Sequence, residues 1–192
     1  MIIKDPRSSQ AATVENNRLF TRSVTATVVQ ESATNGDTYN VNTGTINLTS
    51  GNKSGVLYLK NNSQNDIVVD VIGYLLGNST GGAGDLIAEV KKNPTTGTLI
   101  SNATPVDIMQ NKNFSSSDEL DVLAYKGVEG ATVTDGISTY FSLLPAAARS
   151  YSIATGNIVL AKGNSLSIEI TPQTGNTSMD CQFFLSVIES KI

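Results

Sequence analysis

The chain has 192 residues, with 13 Lys and Arg against 17 Asp and Glu, one Cys and no His. That length fits one domain, or one domain with an arm; the net charge of −4, with no basic run beyond Lys91-Lys92, excludes a phosphate-reading surface, so no nucleic-acid partner is expected. One Cys without His can build neither a Ser-His-Asp or Cys-His mechanism nor a thiolate metal site, and no cofactor is expected.

Charged residues make up only 16% of the chain, below the roughly 25% of typical domains. Ser, Thr, Asn and Gly fill the difference, a composition suited to packing against neighbours, where an unpaired charge is costly. No stretch of about 18 apolar residues is present, so no membrane span is expected. Met1-Ile2-Ile3-Lys4-Asp5-Pro6 lacks the apolar core of a secretion signal.

Residues 1–22 show little apolar periodicity and read as an extended arm. The remainder, 23–192, reads as one β-sandwich domain. Ser23–Gln30 gives the first strong strand signal, and Asn35-Gly36 the left-handed positions of a turn. Thr45–Thr49 alternates with period two, and Gly55–Lys60 follows. Ile67–Leu76 is the longest apolar run, β-branched and therefore a central strand. Gly77–Gly84 is rich in Gly but lacks the Gly-Lys-Ser/Thr that opens a phosphate-binding helix; it reads as a flexible loop before a strand at Asp85–Val90. Strands are expected at Leu120–Lys126, Ile137–Leu143, Arg149–Ile153, Asn157–Leu160, Ser165–Ile170 and Asp180–Ile188. Ala161-Lys162-Gly163-Asn164 reads as a hairpin connection, and Pro145–Ala148 allows one helical turn at most. Many short strands with turn signals predict an all-β, antiparallel sandwich, jelly-roll-like, with an extended N-terminal arm. An immunoglobulin-like sandwich is the alternative, without its Cys and Trp signature. The expected core includes Leu57, Leu59, Val69, Val71, Leu123, Ile168 and Leu185, with Cys181 a small buried packing residue.

Paired carboxylates are the one catalytic device left. Asp118 with Glu119, Glu129 with Asp135, and Asp66 with Asp70 are the candidates, and solvated loop charges are the simpler reading. Asp70 interrupts an apolar strand; it faces solvent by alternation or pairs with a base such as Lys60. Asp135-Gly136 and Asn35-Gly36-Asp37 offer oxygens to a structural cation, without a recognisable calcium loop. Sequons such as Asn47-Leu48-Thr49 and Asn78-Ser79-Thr80 are expected by chance in this composition.

Several phrases form a set: Ala12-Thr13-Val14-Glu15-Asn16-Asn17-Arg18-Leu19, Tyr39-Asn40-Val41-Asn42-Thr43-Gly44, Leu57-Tyr58-Leu59-Lys60-Asn61-Asn62, Asn93-Pro94-Thr95-Thr96-Gly97-Thr98 and Tyr125-Lys126-Gly127-Val128-Glu129-Gly130. Together they resemble small bacteriophage virion structural proteins of the capsid-decoration or head-fibre type. The resemblance spans nearly the whole chain, is carried by turn and strand phrases, and brings no functional residues with it. It implies a capsid decoration protein on the particle surface, with the major capsid protein or other virion proteins as partners, and a homotrimer. The arm is then the partner-binding element, through Ile2, Ile3, Val14, Leu19 and Phe20 as apolar groups and Arg7, Arg18 and Arg22 as partners for carboxylates. The alternative is a head-fibre, neck or tail component binding a host receptor or glycan, for which Tyr39, Phe114, Tyr140 and Tyr151 are the candidate aromatics. A glycan-cleaving enzyme is a third reading, disfavoured by the missing His.

Overall fold

The computed structural model describes residues 2–4, 11–15, 18–20, 28–48, 52–77, 86–144, 149–172 and 179–191. Near the N-terminus, β1 (Ile2–Lys4), β2 (Ala11–Glu15) and β3 (Arg18–Phe20) form an antiparallel three-stranded sheet of their own. Where an extended arm was expected, the backbone thus folds back on itself twice. A short helix, α1 (Val28–Asn35), leads into the body.

The body is built from β4 (Thr38–Leu48), β5 (Ser54–Asn61), β6 (Asp66–Leu76), β7 (Leu86–Lys92), α2 (Thr98–Ser101), β8 (Thr104–Pro105), β9 (Ile108–Asn111), β10 (Val122–Lys126), β11 (Ile137–Leu144), β12 (Arg149–Leu160), β13 (Ser165–Pro172) and β14 (Met179–Ser190). One sheet has the order β12-β6-β14-β4-β9, the other β11-β7-β13-β5-β10-β8. Setting aside the segment from α2 to β10, consecutive strands alternate between the sheets except β7 and β11, which are antiparallel neighbours in one sheet, and each sheet is a set of four antiparallel strands. That is the wiring of an eight-stranded jelly roll, and it confirms the expected all-β sandwich. The segment between β7 and β11 then extends both sheets, laying β9 beside β4 and β10 beside β5.

One continuous core fills the space between the sheets, with Leu57, Leu59, Val69, Ile168 and Leu185 fully buried as expected. Cys181 is buried with it, and burial pushes its thiol up to about 12. Two of the expected core residues lie elsewhere. Leu123 stands opposite Lys60 on the outer face and is 38% exposed, because Leu120, Val122 and Ala124 take the inward phase. Val71 is half-buried because β6 carries a bulge. On β14, Val187 pairs with Val69 and Ser186 with Val71, so Asp70 is skipped. The inward phase therefore runs Ile67, Val69 and then Ile72, Tyr74, Leu76.

Other expectations change with tertiary context. Residues 28–30, expected in a strand, open α1, while 23–27 lie outside the described residues. Asn35-Gly36 ends this helix rather than turning a hairpin: Gly36 has φ +79°, its N–H donates to Ala33 O (3.2 Å), and the Asp37 N–H donates to Ser32 O (2.8 Å). These are the paired bonds of a Schellman cap. The strands expected at Arg149–Ile153 and Asn157–Leu160 are one strand, β12, interrupted where Ala154 and Ile158 flank an irregular stretch. Ala161-Lys162-Gly163-Asn164 joins β12 to β13 in the opposite sheet, so it is an arch between sheets and not a hairpin. The loop at 78–85 and Pro145–Ala148 lie outside the described residues.

On the outer face of the second sheet, Tyr58, Leu99, Ala131 and Val133 make a second apolar cluster. Tyr58 stacks on Tyr125 with ring centroids 5.7 Å apart. The cluster fastens the β7–β11 segment over that face.

Candidate functional site

The arm positions fall on the small N-terminal sheet. Ile2 stands opposite Thr13 and Ile3 opposite Ala12 on β1 and β2; Thr13 stands opposite Phe20, Val14 opposite Leu19 and Glu15 opposite Arg18 on β2 and β3. Six of the eight proposed contact residues are thus brought into one sheet at the level of the backbone. Arg7 and Arg22 lie outside the described residues.

Of the candidate carboxylates, Asp118 and Glu119 border one cleft and Asp66, Asp70, Glu129 and Asp135 lie apart from it. Asp135 clasps a loop: it accepts the N–H groups of Thr95 and Thr96 (both 2.9 Å) and the Thr95 hydroxyl (2.5 Å). These donors, the Thr95 hydroxyl first, hold its carboxyl far below the usual carboxylate range. Asp118 is exposed and faces Lys191 at 3.7 Å, while Lys191 pairs closely with Asp37 at 2.7 Å. Asp37 and Asp135, both considered for a structural cation, are each committed to protein partners. Asp66 is exposed at the start of β6, four positions from Asp70 on the same strand. Asp70 does not pair with Lys60, which lies on β5 in the other sheet. Its field acts instead on Lys112, whose amine donates to Ser186 Oγ (2.5 Å); burial lowers that amine's pKa and Asp70 opposes the shift. Among the described residues, no group of three or more Cys, Asp or Glu is placed to hold a metal ion.

Sequence reasoning missed the main charged cluster. Glu89 on β7 and Glu169 on β13 stand directly opposite each other, nearly buried. Like charges in that register repel. Lys53 bridges them, 2.6 Å from Glu89 and 3.1 Å from Glu169, and Lys91 reaches Glu169 at 2.7 Å. The Ser138 hydroxyl also donates to Glu89. Burial works to raise the Glu89 carboxyl, but Lys53, Ser138 and Lys91 together outweigh it and hold the group below its ordinary value. Lys91 further donates to Val133 O (3.2 Å), which ties the covering segment to the cluster. The signal was present in the alternation Ala88-Glu89-Val90-Lys91, which places Glu89 and Lys91 on one face. The arrangement is neutral overall and structural in character.

Of the candidate aromatics, Tyr39 is buried and Tyr140 is partly exposed at a sheet edge; the side chain of Tyr151 lies outside the described ones. Phe114 is different, at 99% exposed. Its loop is fixed from within: Asn111 Oδ1 accepts from Asn113 N (2.8 Å), Asn113 Oδ1 from Ser115 N (3.0 Å) and Ser116 Oγ from Asp118 N (3.1 Å). Asn113 also donates to Thr34 O (2.9 Å) at the end of α1. The loop borders a cleft of about 420 Å³ whose walls include Tyr39, Met109, Asn111 and Asp118. On β11, Phe141 and Leu143 are exposed on one face, and Ile137, before the bulge, is exposed on the other. Among the described residues, no helix is long and apolar enough to cross a membrane.

The fold defines the chain as an antiparallel β-sandwich of jelly-roll wiring. No protein-family model and no curated protein matches the sequence. Among solved structures, it is similar to a CocE/NonD family hydrolase from Staphylococcus aureus, with 10% identity over 77% of this chain and 34% of that one, at a TM-score of 0.31. It is similar to a chain of infectious bursal disease virus, Gt strain, with 14% identity over 98% of this chain and 42% of that one, at a TM-score of 0.28. It is also similar to a chain of Sacbrood virus of honeybee, with 12% identity over 100% and 98% of the two chains, at a TM-score of 0.26. The chain spans less than half the length of the first two. At these scores the likenesses carry no argument about function.

Proposed function

We propose that the protein is a non-enzymatic structural component of a virion, a capsid decoration protein on the surface of a bacteriophage particle. The observation that carries this reading is the jelly-roll strand order in a chain with few charges and no His. The fold serves viral capsid domains, lectins and cupins alike, so the choice rests on the residues. Asp135 is clasped, Asp118 faces Lys191 and the other candidates are scattered, with only Glu119 sharing a cleft with Asp118. The partners are the major capsid protein or other virion proteins, and sister copies in a homotrimer. The arm, with Ile2, Ile3, Arg7, Val14, Arg18, Leu19, Phe20 and Arg22, is the assembly element.

Ordering an arm costs about 1–2 kcal/mol per residue in backbone entropy, which contacts with a partner must offset. Deleting residues 1–22 is expected to leave the circular-dichroism β signal unchanged and to abolish binding to phage heads. Full occupancy of heads by the truncated chain would assign the anchor to the sandwich. The purified protein is further expected to hold no stoichiometric zinc or iron and to cleave no polysaccharide. Turnover that disappears in Asp70→Asn or Asp118→Asn would overturn the non-enzymatic reading.

One observation favours a second reading, a receptor- or glycan-binding module: Phe114 stands fully exposed on a stiff loop beside a cleft lined by Asn and Asp side chains. Aromatic platforms of this kind are low-entropy contact residues. Loss of host-cell or glycan adsorption in Phe114→Ser, with head binding intact, would establish it.

A further inference from the structure

The two sheets end in four strand edges: β9 and β12 on the first, β8 and β11 on the second. Three of them are blunted. β8 is two residues long and includes Pro105. β9 is four residues long and runs directly into Lys112. β12 loses its regular pairing between Ala154 and Ile158. β11 is the exception. Its eight residues hold no charge and no Pro, and beyond a bulge near Ser138 residues 140–144 pair regularly with β7. Its far side pairs with no described strand, and Ile137, Phe141 and Leu143 are 67%, 61% and 64% exposed. Natural sheets avoid such an edge unless something covers it, and strand addition is the contact it fits.

The occupant is indicated by the N-terminal sheet. Among the described residues its strands of 3, 5 and 3 residues pair only with one another, two of them at the lower limit of strand length. Residues 1–22 carry four basic and two acidic side chains, while the rest of the chain carries nine basic and fifteen acidic. A cationic arm and an acidic body attract. The arm joins the body at α1, which packs on β4 and β14. In the first sheet, β14 and β6 separate β4 from β12, and β12 shares a cleft with β11. α1 therefore lies toward the end of the first sheet that is away from β12 and β11.

We propose that the N-terminal arm docks on the β11 edge of a second copy of this chain and extends its six-stranded sheet. The contact is head-to-tail, the type that closes into a ring. It deepens the assembly role proposed for the arm, and rests on that reading.

The test uses full-length chains, in which the buried Cys181 thiol stays silent. Leu19→Cys and Phe141→Cys chains, one lengthened by a tag, are purified separately, mixed and oxidised. The expected product is a mixed disulfide of the two sizes, at least tenfold above a control pairing Leu19→Cys with Val128→Cys. A Leu19→Cys/Phe141→Cys double variant that gives only internally bridged monomer at every dilution would place the arm on its own edge and overturn the proposal. Phe141→Cys homodimers formed in preference to the mixed product would assign the edge to a second β11 and overturn it equally. Independently, Phe141→Lys is expected to keep the circular-dichroism spectrum and to lower the mass in light scattering threefold; an unchanged mass counts against the proposal. Head binding is measured on the same samples. A mixed crosslink without head binding defeats the virion reading alone, and head binding without a mixed crosslink defeats this inference alone.

Discussion

Lys53 holds two buried carboxylates in a register where they would otherwise repel, and its removal has a consequence that depends on pH. In the wild-type chain the Glu89 carboxyl sits below its ordinary value. Its contribution to stability is therefore present above the ordinary Glu pKa of about 4.3 and lost as pH falls through the lowered value. Lys53 has its pKa raised, because Glu89 and Glu169 outweigh the opposing effect of burial. Its contribution is present below about pH 10.4 and lost as pH rises through the raised value. In Lys53→Ala, Glu89 and Glu169 face each other with only Lys91 nearby. The variant is expected to lose about 1–3 kcal/mol at pH 7, and to recover part of that near pH 4 as one carboxyl takes up a proton. Urea melts at the two pH values check both signs. Core positions give a second contrast. Leu59 is fully buried, whereas Leu123 is not. Leu59→Ala is expected to cost about 2–5 kcal/mol, and Leu123→Ala about 0.5 kcal/mol or less. Equal costs would show that the facing of β10 is reversed.

A single inserted residue decides the phase of β6. Both neighbours of that strand skip Asp70, β14 through Val187 and Ser186, and β12 through Ile158 and Ala154. Deleting Asp70 joins Val69 to Val71, leaves Val187 and Ser186 as their consecutive partners, and keeps Ile72, Tyr74 and Leu76 on the inward phase. The deletion is therefore expected to keep the cooperative thermal transition, and Asp70→Ser, which keeps the bulge, to shift the midpoint by only a few degrees; loss of the transition in the deletion alone would show that the bulge itself is required. Elements of this kind mark the limit of what was legible in the sequence. The long strands β5, β6, β7, β11, β13 and β14 were readable because β-branched and alternating residues recur with period two. The bulge was not, since Ile67, Val69 and Val71 read as one uninterrupted apolar phase with Asp70 facing out. Residues 28–30 misled because their β-branched pair favours a strand locally, while the Schellman cap at Gly36 and the packing of α1 on β4 and β14 decide for helix. β8 and β9 were invisible because they are 2 and 4 residues long and gain their pairing only from β10 and β4. Of the candidate site, the arm's composition was legible, and so was the oddity of Phe114. The facing pair Glu89 and Glu169 was not, because it arises from a register between strands about eighty positions apart.

At the scale of the whole molecule, the position of β14 sets the order in which the protein comes into being. This strand lies between β6 and β4, in the middle of its sheet, and pairs Ile188 with Thr38 and Met179 with Leu48. A nascent chain leaving the ribosome therefore exposes the inner edges of β4 and β6 until the region around residues 179–190 emerges. Contacts across such long stretches of chain are slow to form, and incomplete chains with open apolar edges associate with one another. Products truncated before Met179 are expected in the insoluble fraction during expression, while full-length chains remain in the supernatant; soluble truncated chains would show that the first sheet closes without its middle strand. The keystone is thus made after every strand that it joins, and each copy has to be protected until then.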